Sequence, residues 1–386
     1  MPHFQTPIST KLPRTGTSIF TVMSALAAEH GALNLSQGFP EFDVPAELKE
    51  HVIRAITDGK NQYAPMAGVL ALREAVAAQF QRRNGITYDP LEEITITAGA
   101  TQAIFTAITA LVKENDEVIV FTPAYDCYAP AIELAGGIPV FMRLTGPHYR
   151  VDWDEVRKLV TRKTRMIIIN TPHNPTGSVL GLSDLMELEK IAVSSDIIVL
   201  SDEVYEHIVF DGEPHASCAS RAGLANQSLI VGSFGKSIHA TGWKTGYIAG
   251  PPSLMAEFRK VHQYNVFVAN TPMQHGIAAF MTENHDHFNQ LHTFYQAKRD
   301  LFLQALKGSR FTFKPAEGSY FQLLNYSKIS EQEDVEIAKE WTEKYKIASI
   351  PVSVFYQQPM MEHSLRFCFA KNDDTLLAAA EILKAI

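Results

Sequence analysis

The segment Leu229-Ile230-Val231-Gly232-Ser233-Phe234-Gly235-Lys236 carries an apolar run that ends in a lysine among small residues. Apolar residues in a row, without polar alternation, are typical of a strand buried on both faces of a parallel sheet. Ser233 and Gly235 mark the end of this strand. We therefore expect Lys236 to lie at the mouth of a buried strand, where the chain leaves the sheet.

Five other short apolar runs lie between about residues 93 and 250. They are residues 94–97, 117–121, 166–169, 197–200 and 246–249. A segment long enough for a helix separates most of these runs from the next. This alternation predicts an α/β fold, in which helices cover both faces of a mostly parallel sheet.

Small or polar residues follow five of the runs at once. These clusters are Ala98-Gly99-Ala100-Thr101-Gln102, Thr122-Pro123-Ala124-Tyr125, the loop at 170–177, Ser201-Asp202-Glu203-Val204-Tyr205 and Ser233-Phe234-Gly235-Lys236. Because ligands bind beyond the carboxyl ends of the strands in such sheets, we expect the five loops to converge on one site.

The chain is predicted to form two domains. Residues 46–283 hold the alternating pattern and form the larger one, whereas residues 284–386 and an amino-terminal arm, residues 1–45, form a smaller α+β domain. The smaller domain is expected to contain a helix near 284–306, strands at 320–323 and 364–369, and helices near 333–345 and 373–385. Their interface is the natural place for a closing cleft.

Composition excludes several classes of protein. The 386 residues carry a net charge of -8 and no basic tract, which argues against nucleic acid as a partner. The three cysteines lack CxxC spacing, so we expect no disulfide framework, no metal site and a reducing compartment. No secretion signal or run of about 18 apolar residues occurs, so a cytoplasmic protein without a membrane partner is expected.

Lys236 has two interpretations. The ordinary one is a solvated cation at the end of a strand. The other is an amine that forms a Schiff base with pyridoxal phosphate in a partly desolvated, cation-rich site. Such a site also requires a phosphate cradle, an anion for the pyridine nitrogen, a donor to the ring hydroxyl and a stacking face.

The sequence contains a candidate for each of these parts. Asp202 closes an apolar strand, where a carboxylate needs a charged partner such as a pyridinium, although a helix N-cap or an ion pair would also explain it. Tyr205 and Asn174 are the candidate donors to the ring hydroxyl, and an ordinary turn is the alternative for the Asn174 loop. Tyr125 is the candidate stacking face, with core packing as the alternative.

The phosphate cradle is expected at a strand-to-helix junction. Ala100, Thr101 and Gln102 lie there, where backbone N–H groups and a helix N-terminus approach an anion. Ser233 and Lys244 add a hydroxyl and an ammonium group. Tight packing of small residues is the alternative explanation for the junction.

Arg366 lies within an apolar strand between Leu365 and Phe367. A guanidinium in these surroundings needs an anion, and bidentate pairing with the α-carboxylate of a substrate would supply one. An intramolecular salt bridge is the alternative.

These motifs, taken in order, resemble those of the class I/II aminotransferases of pyridoxal phosphate fold type I. The resemblance rests on Asn174-Pro175-Thr176-Gly177, Asp202-Glu203-Val204-Tyr205, Ser233-Phe234-Gly235-Lys236, Lys244 and Arg366, and it covers nearly the whole chain. Residues 34–42, 63–65 and 242–246 are most similar to the group of methionine aminotransferases, kynurenine aminotransferases and glutamine transaminase K. The resemblance implies a seven-stranded central sheet and a homodimer with shared active sites.

The resemblance also implies roles for single residues. Lys236, Asp202 and Tyr205 would be catalytic, Tyr63 would reach the phosphate in the neighbouring subunit, and Gly38 would lie over the substrate. The implied reaction transfers the amino group of an L-amino acid to a 2-oxo acid by a ping-pong mechanism.

The sequence departs from relatives that act on dicarboxylates. We find no arginine for a distal carboxylate, and the amino-terminal segment instead contains Ile19 and Phe20. An apolar side-chain pocket is expected, together with a large uncharged substrate: methionine first, and also aromatic amino acids or glutamine. At the phosphate-binding position after the lysine, Lys244 keeps the charge but lacks the planar fork of arginine.

Two other functions are compatible with parts of this pattern. A carbon–sulfur β-lyase acting on cysteine conjugates would use the same fold and the same residues, and the sequence leaves it open. A ligand-sensing regulator would need a DNA-binding module, but only about 30 to 45 residues precede the core and they show no basic helix-turn-helix pattern.

Overall fold

The computed structural model describes residues 6, 8–13, 15–358 and 360–386. Its strands are β1 (Leu33–Asn34), β2 (Ile94–Thr97), β3 (Glu117–Thr122), β4 (Ile138–Arg143), β5 (Thr164–Asn170), β6 (Ile198–Asp202), β7 (Ser228–Ser233), β8 (Gly246–Ala249), β9 (Phe321–Asn325), β10 (Ile347–Ala348), β11 (Ile350–Pro351) and β12 (Ser364–Cys368). Seven of them form one central sheet, and the other five form two small sheets.

Helices fill most of the intervals between the strands. They are α1 (Ile19–His30), α2 (Ala46–Thr57), α3 (Leu70–Asn84), α4 (Ala100–Leu111), α5 (Tyr128–Leu134), α6 (Trp153–Leu159), α7 (Leu182–Ser195), α8 (Ala222–Ala225), α9 (Phe234–Ser237), α10 (Pro252–Asn265), α11 (Thr271–Glu283), α12 (His285–Ala305), α13 (Asp334–Lys344) and α14 (Asp373–Ala385). Among the helices of the described residues, none combines the length and the apolar character that a membrane span requires.

The central sheet has the strand order β2-β8-β7-β6-β5-β3-β4. Strands β3 to β7 pair in parallel with their neighbours, and β8 runs antiparallel to both β7 and β2. The carboxyl ends of β2, β3, β5, β6 and β7 therefore lie at one edge, together with the amino end of β8. The predicted α/β fold with a mostly parallel, seven-stranded sheet is confirmed.

The two faces of the sheet are buried under different helices. Successive residues of a strand point to opposite faces, so Met166 and Ile168 of β5 pack with helices α4, α5 and α10. Ile167 and Ile169 pack on the other side, in the core that includes apolar residues of α3, α7 and α11. Burial on both faces explains why these strands are continuous apolar runs.

The two small sheets join the ends of the chain. Strands β11, β12 and β9 form an antiparallel sheet, whereas β1 pairs in parallel with β10, with Leu33 opposite Ile347. The amino-terminal segment thus contacts the carboxy-terminal part directly. The predicted strand at 320–323 begins one residue later than expected, which leaves Tyr320 just before β9.

One strand of the central sheet was not among the six predicted runs. Strand β4 lies at the edge of the sheet, and both of its ends, Ile138 and Arg143, are exposed. Pro139 interrupts the apolar run of this strand, and a proline inside such a run argues against a central strand and is typical of an edge strand.

Candidate active site

A pocket of about 290 Å³ opens beyond the carboxyl ends of the parallel strands, where the five predicted loops converge. Its wall consists of Phe20, Gln37, Gly38, Gly99, Ala100, Thr101, Ile104, Tyr125, Asn170, Asn174, Asp202, Val204, Tyr205, Ser233, Gly235, Lys236, Thr241, Lys244, Thr245, Phe321 and Arg366. Gly38, Phe321 and Arg366 come from the ends of the chain, and most of the other residues come from the central sheet and its loops. The pocket therefore lies where the two ends of the chain meet the central sheet and its loops.

Lys236 lies in the single helical turn α9, directly after β7. Its Nζ donates hydrogen bonds to the hydroxyl oxygen of Tyr320 (2.9 Å) and to the carbonyl oxygen of Gly38 (3.1 Å). Burial lowers the pKa of the amine to about 8, and the positive charges of Arg366 and Lys244 act in the same direction. The uncharged amine, which is the form that a nucleophile requires, is therefore far more populated near neutral pH than in an ordinary lysine.

Asp202 is the last residue of β6, and only 4% of it is exposed. Its Oδ2 accepts a hydrogen bond from the hydroxyl of Tyr128 (2.5 Å), and its Oδ1 accepts one from the amide of Val204 (3.3 Å). Burial raises the pKa of Asp202 to about 6, although the hydrogen bond from Tyr128 opposes this shift. A cation opposite this carboxylate would favour its charged form.

A cradle for an anion lies at the start of α4. Gly99 precedes this helix with a φ of 81°, and Ala100 and Thr101 form its first turn beside the pocket. A Cβ atom at Gly99 would lie 3.5 Å from Nζ of Lys244, so the ammonium group sits directly over the helix N-terminus. Ser233 adds a hydroxyl to the same wall. Backbone N–H groups and a cation suit a phosphate group.

Arg366 of β12 is 1% exposed, yet its guanidinium bonds only uncharged acceptors. One nitrogen donates to Oδ1 of Asn174 (2.7 Å), another donates to the carbonyl oxygen of Ser36 (2.9 Å), and Nε has no partner among the described residues. The ring of Phe321 lies 4.0 Å from the guanidinium carbon, and that of Phe20 lies 5.2 Å from it. Burial lowers the pKa of Arg366 to about 10. No Asp or Glu in the described part of the chain forms an ion pair with this side chain, so an external carboxylate fits here.

Of four other predicted site residues, two line the pocket and two do not. Tyr205 is buried at the wall, with its ring 5.0 Å from that of Tyr320, and Tyr125 also lines the pocket. The side chain of Gln102 is turned to the amide of Ala98 and the hydroxyl of Thr106, so only its backbone remains for a ligand. Tyr63 is 81% exposed and lies outside the pocket wall.

The pocket wall thus combines a lysine of lowered pKa, a buried carboxylate and a helix N-terminus beside a second lysine. These groups suit a ligand that has an aldehyde, a cationic ring and a phosphate group. A sequence model of the family "Aminotransferase class I and II" matches residues 31–383. The chain belongs to this family.

The relatives of this aminotransferase agree with the group predicted from its sequence. It is 49% identical to the methionine aminotransferase of Escherichia coli (strain K12) over 376 residues, which covers 97% of each chain. It is 33% identical to kynurenine–oxoglutarate transaminase 1 of Rattus norvegicus, with 95% of each chain covered. An Escherichia coli crystal structure with an identified methionine aminotransferase function matches with a TM-score of 0.97 at 48% identity, and covers 99% of this chain and 100% of its own.

Two tyrosines of this aminotransferase contact the site but were not predicted. Tyr320 contacts the amine of Lys236 across 84 residues of sequence, and Tyr128 contacts Asp202 across 74. Tyr320 is the first residue of a predicted strand, and Tyr128 lies three residues after Tyr125. These positions were the available signal, but neither position indicates which side chain the hydroxyl contacts.

Proposed function

We propose that this aminotransferase uses pyridoxal phosphate to transfer the amino group of methionine, or of another amino acid with a large uncharged side chain, to a 2-oxo acid. The composition of the pocket wall carries this proposal. Among the described residues of the wall, the cationic side chains are Lys236, Lys244 and Arg366. Because each would bind a different part of the cofactor or the α-carboxylate, none would remain for a second carboxylate on the substrate.

The residues present fit pyridoxal phosphate. When bound, this group supplies an aldehyde for the amine of the substrate and a ring that accepts electrons from the α-carbon. Asp202 would hold the ring nitrogen in its charged form, and Ala100, Thr101, Ser233 and Lys244 would hold the phosphate. Asn174 and Tyr205 would contact the ring hydroxyl, and Tyr125 the face of the ring.

Lys236 has two tasks in this proposal. It attaches the cofactor in the resting enzyme, and as a free amine it moves a proton from the α-carbon of the substrate. The lowered pKa of about 8 supports the second task, because the uncharged amine is the form that accepts a proton. Its place in the short turn after β7 keeps Nζ at the pocket wall.

Arg366 would bind the α-carboxylate and so orient the substrate. Its guanidinium is buried among uncharged acceptors, and a buried charge is stabilised when an opposite charge pairs with it. The aromatic rings of Phe20, Phe321 and Phe355 surround the guanidinium at 5.2, 4.0 and 5.6 Å. Phe20 and the neighbouring Ile19 would border the substrate side chain and favour an apolar group such as the thioether of methionine. The identity of 49% to a methionine aminotransferase supports this choice.

We further infer that the enzyme is a cytoplasmic homodimer with shared active sites. The position of Tyr63 supports this inference, because its side chain is exposed and lies outside the pocket wall of its own chain. The ring of Phe267, 5.2 Å from that of Tyr63, extends this aromatic surface. Tyr264, three residues before Phe267, is 91% exposed. In the proposed dimer, Tyr63 of the partner subunit contacts the phosphate. Each subunit has a large domain, residues 46–283, and a small one, residues 1–45 and 284–386, which closes over the substrate.

Lys236→Ala tests the proposal directly. The purified variant, reconstituted with pyridoxal phosphate, is expected to show no transamination and none of the imine absorbance of the wild type. Lys260→Ala is the matched control, because the side chain of Lys260 is 69% exposed and lies outside the pocket wall. A Lys236→Ala variant that transaminates at the wild-type rate would refute the proposal.

Substrate choice is tested by half-reaction rates. A panel of amino acids is mixed with the reconstituted enzyme, and the loss of the imine band is followed for each. Methionine is expected to react faster than aspartate, because a second carboxylate finds no cation. One apolar methylene changes such rates only by a factor of about 10 to 200, so closely related apolar donors are expected to overlap. Faster reaction of aspartate would contradict the proposed substrate class.

A further inference from the structure

Two polar groups meet beside the amine of Lys236. Its Nζ lies 2.9 Å from the hydroxyl oxygen of Tyr320 and 3.1 Å from the carbonyl oxygen of Gly38. The hydroxyl of Tyr320 in turn lies 2.6 Å from the same carbonyl oxygen. The amine, the hydroxyl and the carbonyl therefore form a closed triangle of hydrogen bonds at the pocket wall.

The donors in this triangle can be assigned. A carbonyl oxygen only accepts, so the hydroxyl of Tyr320 donates its single hydrogen to Gly38 and accepts through its oxygen. The uncharged amine of Lys236 has two N–H groups, one for the tyrosine oxygen and one for the carbonyl oxygen. Both hydrogens are then used, and the lone pair of the nitrogen points away from the two acceptors.

The tyrosine hydroxyl is held in place by its surroundings. Tyr320 is fully buried, and its ring contacts those of Tyr205, Phe321 and Tyr295 at centroid distances of 5.0, 4.9 and 5.7 Å. A close approach fixes the Gly38 side of the triangle, because a Cβ atom there would lie 2.8 Å from Phe321. Neither acceptor can move far without displacing packed rings.

We propose that Tyr320 is a positioning residue for Lys236: its hydroxyl, together with the carbonyl of Gly38, orients the free amine so that its lone pair faces the pocket. The inference rests on the proposed function, in which the free amine of Lys236 moves the proton from the α-carbon. An amine free to rotate would spend only part of its time in the productive orientation, so the proton transfer would be slower.

Tyr320→Phe tests the inference, because it removes the hydroxyl and keeps the ring. Tyr295→Phe is the matched control: Tyr295 is equally buried, its ring is adjacent, and its hydroxyl has no partner among the described residues. The control is expected to change neither the pH dependence of Lys236 labelling nor the kinetics with methionine.

The first measurement needs no catalysis. In the full-length protein without cofactor, the reaction of Lys236 with fluorodinitrobenzene is followed against pH and quantified by mass spectrometry of the labelled peptide. Tyr320→Phe is expected to move the midpoint of this curve to lower pH, because the ammonium form loses one acceptor and becomes less stable. Tyr295→Phe is expected to leave the midpoint in place.

The second measurement uses the reconstituted enzyme with methionine that carries deuterium at the α-carbon. Tyr320→Phe is expected to lower kcat about tenfold with little change in KM, and to raise the primary isotope effect, because proton transfer becomes slower. A wild-type isotope effect or an unshifted labelling curve would overturn the inference, even if the melting temperature fell. If the wild type transaminates no amino acid, the proposed function fails instead, and the labelling curve still tests the contact.

Discussion

Asp202 is the residue at which the proposed function opposes stability. Its pKa is about 6 in the folded protein, above the ordinary value of 3.8. The folded protein without cofactor therefore binds more protons than the unfolded chain, and its free energy of unfolding falls as pH rises through this interval. At neutral pH, the free energy of unfolding is about 3 kcal/mol lower than it would be if the pKa of Asp202 were unchanged by folding.

Asp202→Asn is therefore expected to stabilise the cofactor-free protein. The amide keeps an acceptor for Tyr128 but carries no charge, so the gain is greatest at pH 7.5, up to about 3 kcal/mol, and vanishes towards pH 4. Urea unfolding of both proteins across this range measures it. Asp58→Asn, at an exposed helix end, is the control and should change little. An Asp202→Asn protein less stable than the wild type at pH 7.5 would contradict the assigned cause.

Arg366→Lys tests the geometry of the carboxylate site. Lysine keeps the charge but cannot bond Asn174, Ser36 and a carboxylate together, as the planar fork can. We expect KM for methionine to rise by roughly 10- to 100-fold, with a smaller change in kcat. Steady-state kinetics measure both. Arg299→Lys is the control, because Arg299 is also buried but bonds Asp211 outside the pocket, and it should leave KM unchanged.

The elements of the central sheet differ in how well the sequence predicts them. Strands buried on both faces, such as β5 and β7, have continuous apolar runs and were predicted. The edge strand β4 was not, because Pro139 interrupts its apolar run. The antiparallel direction of β8 leaves no trace in its composition, since pairing direction depends on the path of the connections.

The sequence likewise predicts some residues of the candidate site and misses others. Asp202 and Arg366 stood out because a charge within an apolar strand needs an explanation. Tyr320 and Tyr128 did not, because a tyrosine among apolar residues is ordinary and the partners of their hydroxyls lie far away in sequence. Contacts between distant segments depend on packing, which a local pattern does not contain.

The end of β6 is held by a second buried carboxylate. Glu203 accepts hydrogen bonds from His215 (2.8 Å), the hydroxyl of Ser201 (2.7 Å) and the amide of Cys218 (3.1 Å). Burial alone would raise the pKa of Glu203, but the bonds from His215 and Ser201 outweigh it and lower the pKa. This network fixes the strand end from which Asp202 faces the pocket.

His215→Phe is expected to destabilise the protein by about 3 kcal/mol at pH 7.5, because it leaves a buried carboxylate without its main partner. A lowered pKa contributes stability above the pKa of the unfolded chain, and this contribution is lost as pH falls. The deficit should therefore shrink towards pH 4. Denaturant unfolding at several pH values measures it, with His148→Phe in the exposed loop after β4 as the control. A deficit that does not depend on pH would show that packing, not charge, is responsible.

At the scale of the whole molecule, the pocket depends on segments far apart in the chain. Its wall draws on residues near 20–38, on the loops of the central sheet, and on residues 321 and 366. No single segment of the described chain contains all the residues proposed to bind the cofactor and the substrate carboxylate. Ligand binding in the pocket therefore depends on how the two ends of the chain pack against the central sheet.

The proposed dimer extends this dependence to a second chain, and two defective variants can reveal it. Tyr63→Ala and Lys236→Ala are each expected to be nearly inactive, the first by loss of a phosphate contact and the second by loss of the amine. If Tyr63 serves the partner, a mixed dimer has one site with both defects and one intact site. Unfolding and refolding an equal mixture should then restore about a quarter of the wild-type activity, because half of the dimers are mixed. A mixture no more active than the average of its parents would place Tyr63 in the site of its own chain.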